Sequence, residues 1–203
     1  MRSNEKSLKP KLLIATQNSG KLDEFSALLA DIFDITSAIS PPHVLENGTT
    51  YFENASKKAL SYFETCQSPV LSDDSGLEVD VLKGAPGLLS ARFGGERLSW
   101  SERWNFLYQQ LRPYPVSAWS ARFCCVLCYY DGNSEPQFFE GVVPGKIAPA
   151  PKGEKGFGYD PIFYCSSLGK TFGEASREEK DQVSHRAIAA KSFLRWWVDH
   201  SKA

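Results

Sequence analysis

The chain has 203 residues, 42% apolar and 13% aromatic, enough to bury a full core in one large domain or two tightly joined lobes, which excludes intrinsic disorder. With 23 basic against 24 acidic side chains and a formal charge of −1, a broad basic surface for long nucleic acid is excluded, so any anion site has to be local. No apolar run reaches the roughly 18 residues of a membrane span, and the opening MRSNEKSLKP lacks the apolar stretch of a signal peptide; residues 1–10 read as a flexible lead-in to a cytoplasmic protein and residues 11–203 as its folded unit.

Lys11 to Thr16 (KLLIAT) is a short apolar run broken by Gln17 to Gly20, as in a buried strand entering a loop. Leu22, Phe25, Leu28, Leu29 and Ile32 then recur at helical spacing. After the irregular SPPHVLENG, a second amphipathic helix is marked by Phe52, Ala55, Ala59, Phe63 and Cys66. PVLSD is the next expected strand, and Asp74, Ser75 and Gly76 are expected to bend and halt it, with LEVDVL resuming beyond. Trp100, Trp104, Leu107, Tyr108 and Leu111 set out a third helix closed by Pro113 and Pro115. Ala118 to Tyr130 and Gln137 to Val143 flank the polar DGNSEP and predict an antiparallel hairpin. KGEKGFGYD is a glycine-rich loop, Ser176 with Glu179 predicts a capping box opening a helix at Arg177, and a last helix after His185 carries Ala187, Ala190, Leu194 and Trp197 on one face. Helices alternating with strands, followed by a long antiparallel pair, predict an α/β fold: an elongated mixed sheet flanked by helices, in two lobes with a central cleft.

The five cysteines include a C-x-x-C spacing at Cys125 and Cys128, which sits in a strand. A period of two sends the pair to opposite faces, so they read as reduced core residues rather than a zinc knuckle.

Three constellations carry chemistry. Thr16, Gln17, Asn18, Ser19, Gly20 and Lys21 lie at the joint between strand and helix, where free amides and the helix dipole cradle phosphate and Lys21 adds a full charge; a plain helix cap explains the same residues. Asp73, Asp74, Ser75 and Gly76, with Glu46 in a separate loop, offer oxygens to a hard cation such as Mg²⁺, or simply an Asx turn. Alternation parts Asp73 from Asp74, one facing the cleft and the other bracing the turn. Phe157, Gly158, Tyr159 and Asp160, followed by Lys180, His185 and Arg186, suit a flat base with polar edges. The plain alternative is a satisfied structural His185 and an exposed Lys180.

In this order the blocks closely resemble the Ham1-like inosine triphosphate pyrophosphatase family, the XTP/dITP diphosphatases, from Thr16 to Arg186. The family's opening pattern appears as Thr16, Asn18, Lys21 and Glu24; its acidic loop as Glu46 and Gly48 with Phe52, Glu53, Asn54 and Ala55. Its central block appears as SDDSGLEVDVLKGAPGLLSARF, its base loop as GFGYDPIF and its closing block as REEKDQVSHR. The resemblance implies a soluble Mg²⁺-dependent enzyme of the ITPase/Maf-like fold that cuts dITP, ITP and XTP to a monophosphate and pyrophosphate. Thr16 to Lys21 then hold the triphosphate, Glu46 and Asp74 serve the metal with Asp74 as proton acceptor, and Ser75 touches substrate. Phe157 to Asp160, Lys180, His185 and Arg186 build the base and sugar side, with Lys58 and Arg92 as further phosphate candidates. It also implies a homodimer with a small-molecule nucleotide as its ligand and neither nucleic acid nor membrane as partner. Gln17 and the tail RWWVDH depart from the family's pattern. Rival readings are a Maf-like pyrophosphatase for modified pyrimidine or methylated nucleotides, and a nucleotide-binding module without turnover.

Overall fold

The structure, a computed structural model, describes residues 9–201, so residues 1–8 of the expected lead-in lie outside the described residues. Pro10 is tied to the sheet, its carbonyl accepting a 2.9 Å hydrogen bond from the Asp34 amide.

Seven strands form one sheet: β1 (Lys11–Ala15), β2 (Asp34–Thr36), β3 (Val70–Val79), β4 (Ser120–Tyr130), β5 (Gln137–Ile147), β6 (Phe163–Cys165) and β7 (Lys170–Thr171). Their order is β2-β1-β3-β4-β5-β6-β7. β1 is parallel to β2 and β3. Every later pairing, from β3–β4 to β6–β7, is antiparallel, so the expected mixed sheet is present. The helices are α1 (Ser19–Leu29), α2 (Tyr51–Cys66), α3 (Trp100–Leu111), α4 (Arg177–Val183) and α5 (His185–His200). The capping box foreseen at Ser176 and Glu179 opens α4, and a second, of Ser99 and Glu102, opens α3.

One expectation fails. Asp74 to Gly76 do not halt the strand; β3 runs unbroken, with Asp74, Ser75 and Gly76 opposite Val126, Cys125 and Cys124 of β4. Ten residues of continuous pairing outweigh the local turn preference of an Asp-Ser-Gly run. Gly76 stands there for space: a Cβ would fall 2.3 Å from the Gly87 carbonyl oxygen and 2.7 Å from the Tyr51 hydroxyl.

Strand alternation sorts the sheet into two faces. At the parallel end, α1 and α5 cover one face, where Phe25, Phe33 and Phe193 are buried against Leu71, Cys125 and Leu127. Burying each of these rings stabilises the fold by about 1.5–3 kcal/mol. On the other face α2 packs Ala55, Ala59 and Tyr62 against Val70, Val126 and Cys128. Cys125 and Cys128 thus lie on opposite faces, as the period required. At the far end α3 joins β6 and β7 around Leu107, Leu111, Phe163 and Phe172. The tryptophan-rich tail has a packing role, since Trp197 meets Phe33 edge-on at 4.9 Å and Trp196 lies 5.5 Å from Tyr129.

Gly141 of β5 fixes where α5 begins. A Cβ there would fall 2.0 Å from the His185 carbonyl oxygen and 2.7 Å from the Ala189 amide nitrogen, both backbone atoms that cannot rotate away. Gly141→Ala is therefore expected to cost about 1–3 kcal/mol by overpacking, read as a lowered Tm. An unchanged Tm would mean that α5 rides freely over the sheet.

Candidate active site

Because β3 does not stop, its consecutive carboxylates leave on opposite faces, into different surroundings. Asp73 points toward α1 and α5, where Lys21 pairs with it, Arg186 Nε donates at 2.9 Å and Ser75 Oγ donates at 2.9 Å. Burial pushes this carboxyl up, but Lys21 and Arg186 more than offset it and hold it well below the usual carboxylate range. Asp73 therefore stays ionised at neutral pH, with its oxygens taken up by Lys21, Arg186 and Ser75. Asp74 points toward α2, where Asn54 Nδ2 donates to Oδ2 at 3.0 Å and the Ser75 amide donates to Oδ1 at 3.1 Å. Among the described residues it makes no ion pair. Burial raises its pKa, and Lys58, Lys21 and the Asn54 hydrogen bond only partly oppose the rise. Of the two, Asp74 is the carboxylate with capacity left for a cation or a proton.

Around Asp74 an open cavity of about 320 Å³ is lined by Thr16, Gln17, Asn18, Lys21, Glu46 and Lys58, with Arg92 at its rim. Lys58 Nζ lies 3.0 Å from Glu46 and donates to the Asp73 carbonyl at 2.9 Å. Arg92 reaches the Glu46 carbonyl at 3.5 Å. Asn18 caps α1, accepting from the Lys21 amide at 3.1 Å. The cap explanation thus holds for its side chain, and the Ser19 and Gly20 amides are left beyond the reach of any helical carbonyl. Ser19 and Gly20 open onto a neighbouring groove instead, with Gln17, Asn18 and Phe157. Gly20 allows close packing: a Cβ would fall 2.5 Å from Phe157 Cδ1 and 2.9 Å from both flanking ring atoms, so the tip of α1 lies over the ring's face.

A narrow slot adjoins the open cavity, lined by Phe157, Gly158, Tyr159, Asp160, His185 and Arg186 among others, and the two share Asn18, Lys21, Ser75 and Ala91. The cations behind the slot are buried, not exposed. Lys180, 4% exposed, pairs with Asp160 and donates to Glu24 Oε1 at 2.7 Å. Arg186 donates to Glu24 Oε2 at 2.9 Å and to Ser75 Oγ at 2.7 Å. Lys21, Lys180 and Arg186 thus balance Asp73, Glu24 and Asp160. Burial raises Glu24, but Arg186 and Lys180 bring it below the ordinary value; Asp160, which has Lys180 but not Arg186, stays above it. Lys180 and Arg186 also lie over the Phe157 ring, each 5.2 Å from its centroid.

His185 stacks on Phe123 at 4.7 Å with the rings 10° from parallel. Its Nδ1 is buried and has no hydrogen-bond partner among the described residues, so the ring is held by stacking rather than by a hydrogen bond at that nitrogen, unlike the satisfied structural histidine of the plain reading. Burial, followed by repulsion from Arg186 and Lys180, drives its pKa well below 6.5, so the ring is neutral. In the unfolded chain it titrates near the ordinary value of about 6.5, so below that pH the unfolded state binds more protons and stability falls. Between pH 7.5 and 5.5 the loss from this group is about 1.4 kcal/mol. Urea denaturation of His185→Gln should show that slope flattened; an unchanged slope would mean that His185 titrates normally.

Glu24, Asn54, Ser90 and Trp100 belong to this site without having been singled out as such from the sequence. Glu24 had two available signals, its place at the end of the family's opening pattern and a carboxylate beside Phe25 on the buried stripe of α1. Asn54 had another, being a polar residue beside Ala55 four positions before Lys58, which the resemblance had already put forward as a phosphate candidate. Two carboxylates, Glu46 and Asp74, face the open cavity, and no group of three or more His, Cys, Asp or Glu side chains suited to a metal occurs among the described residues. That set fits a hard cation whose remaining ligands are phosphate oxygens and water.

Comparison with known proteins identifies a family and matching solved structures. A profile of the Ham1 family matches residues 12–196. The dITP/XTP pyrophosphatase of Halalkalibacterium halodurans is 42% identical over 188 residues, covering 91% of this chain and 97% of its own. That of Escherichia coli is 41% identical over 189 residues, covering 91% and 96%. Among solved structures, the Staphylococcus aureus Ham1 protein superposes with a TM-score of 0.81 at 36% identity, covering 94% of this chain and 99% of its own. A Ham1 protein from Coxiella burnetii gives 0.82 at 35% identity, with the same coverage.

Proposed function

The chain belongs to the Ham1 family, and on that footing we propose that it hydrolyses dITP, ITP and XTP to the monophosphate and pyrophosphate, keeping deaminated purines out of DNA and RNA. The observation that carries the proposal is the convergence of the α1 tip, the Asp74 corner and the His185 slot on adjoining cavities that share Lys21 and Ser75.

The roles follow from what each group has left to give. Thr16, Gln17, Asn18 and Lys21, with Lys58 and Arg92, face the triphosphate and neutralise its charge, and the α1 dipole adds to them. Glu46 and Asp74 would hold Mg²⁺, which when bound supplies charge neutralisation at the phosphate oxygens. Asp74 takes the proton of the attacking water; its raised pKa and freedom from ion pairing suit a base. Asp73 holds Lys21, Ser75 and Arg186 in place. Phosphoryl transfer asks little covalent chemistry of a protein, so this positioning is the main catalytic contribution.

The slot selects the base. Lys180 and Arg186 spend most of their N–H groups on Glu24, Asp160, Asp73 and Ser75; Arg186 and His185, which line the slot, present donors to a 6-oxo group, with Lys180 behind them holding Asp160 in place. Adenine sets an amino group against those donors, a mismatch worth roughly 10⁴-fold in kcat/KM. Pyrophosphate release measured across ITP, XTP, dITP, GTP, ATP and dUTP, with and without Mg²⁺, checks this. ITP, XTP and dITP should be cut rapidly, and only with the metal. ATP hydrolysed as fast as ITP would overturn the reading of the slot, and undiminished activity in chelator would overturn the metal. We also propose a cytoplasmic homodimer.

A further inference from the structure

Resting on that reading of the function, we infer that Trp100 is the specificity-determining wall of the base slot, the aromatic face against which the purine ring packs. Phe123 and Tyr159, which also line the slot, are 7% and 3% exposed, whereas Trp100 is 37% exposed. Phe157 has the tip of α1 over one face and two cations over its ring. Trp100 is the one aromatic residue of the slot that is exposed, Phe157 being half-buried, and it lines both the slot and the adjoining groove.

The indole is held in position before any ligand arrives. Trp100 is the first residue of α3, directly after the Ser99 capping box. Arg103, one turn on, clasps the carbonyls of Phe93, Gly95 and Leu98 at 2.6, 3.1 and 3.1 Å, fixing the loop that leads into the helix, and its guanidinium lies 5.4 Å from the indole. Trp104 ties α3 to the glycine loop through a 2.9 Å hydrogen bond to the Gly158 carbonyl. The indole meets Tyr159 edge-on at 5.3 Å, and a Cβ at Gly158 would fall 3.6 Å from it. Loop and helix are therefore fitted to each other around the slot, and no side chain on Gly158 stands between them.

A π wall recognises area and flatness rather than hydrogen-bond pattern, so it favours a two-ring purine over a pyrimidine and leaves the choice between 6-oxo and 6-amino purines to His185 and Arg186. Trp100→Ala should raise KM for ITP by roughly 10- to 100-fold with kcat within about threefold, the pattern of lost uniform binding. Trp100→Phe should restore most of the affinity, and the ITP-to-ATP ratio should stay as it was in both. The chain has five tryptophans, and Trp100 is the one that lines the slot, so IMP should quench fluorescence in the unaltered protein and not in Trp100→Phe. Unchanged KM in Trp100→Ala, or equal quenching with and without Trp100, would overturn the inference. Should the unaltered chain fail to cut ITP, the proposed function falls, and the quenching comparison still decides whether Trp100 meets the base.

Discussion

Asp74→Asn is expected to lower kcat for ITP by about 10²–10⁴-fold, the range for removing a positioned general base, while KM changes little. Asparagine keeps the volume, and its single carbonyl can still accept from either the Asn54 amide or the Ser75 backbone, the two donors that hold Asp74. The other donor then faces an NH₂ group, a local cost of about 1–3 kcal/mol, which should show as a modest fall in Tm. What disappears is the negative charge, and with it both the proton acceptor and a ligand for the cation. Lys21, Lys58 and Arg92 remain to grip the phosphates. Steady-state kinetics on a variant shown to be folded is the check. Near-normal kcat would remove Asp74 from the chemistry and leave it a structural residue of β3.

Arg186→Met is expected to destabilise the fold by about 3–5 kcal/mol, because it breaks a buried ion network by removing one partner. Arg186 is 4% exposed and bonds Asp73, Glu24 and Ser75 at once. Asp73 and Glu24 together keep it charged against the cost of burial. Methionine fills much of the space but leaves three carboxylates facing Lys21 and Lys180. A pH signature should accompany the loss. In the intact protein Glu24 titrates below its unfolded value of 4.5, so its contribution is present above that pH and is lost as pH falls below it. Without Arg186 the depression shrinks, and so does this part of the acid sensitivity. Urea titrations at pH 7 and pH 4 measure both. A loss under about 1 kcal/mol, the scale of an exposed pair, would mean that the network is wet and dispensable.

The local features were legible in the sequence and the long-range ones were not. Apolar spacing gave α1, α3 and the β4–β5 hairpin, and Ser176 with Glu179 located the start of α4, because caps and periodicity are properties of neighbouring residues. The continuity of β3 through Asp74, Ser75 and Gly76 depends on pairing with Val126, Cys125 and Cys124, some fifty residues away, and no local propensity reports that. The short strands β2, β6 and β7 are too brief for a period of two to show. Alternation did part Asp73 from Asp74, but which of them is saturated rests on Lys21 and Arg186 arriving from distant helices. Lys180 looked like an exposed helix charge because its partners, Glu24 and Asp160, are 156 and 20 residues away. Trp100 reads from its spacing as one more apolar position of α3, and the loop that exposes it to the slot is visible in three dimensions only.

The proposed hydrolysis requires one nucleotide to lie across the Phe157 and His185 slot, Lys21 and Asp74, with the phosphate next to its sugar beside Asp74. Product analysis of a single turnover with ITP and Mg²⁺ tests it most directly. The arrangement predicts IMP and pyrophosphate as the sole products. IDP and orthophosphate would contradict it, since attack would then fall at the terminal phosphate, away from Asp74.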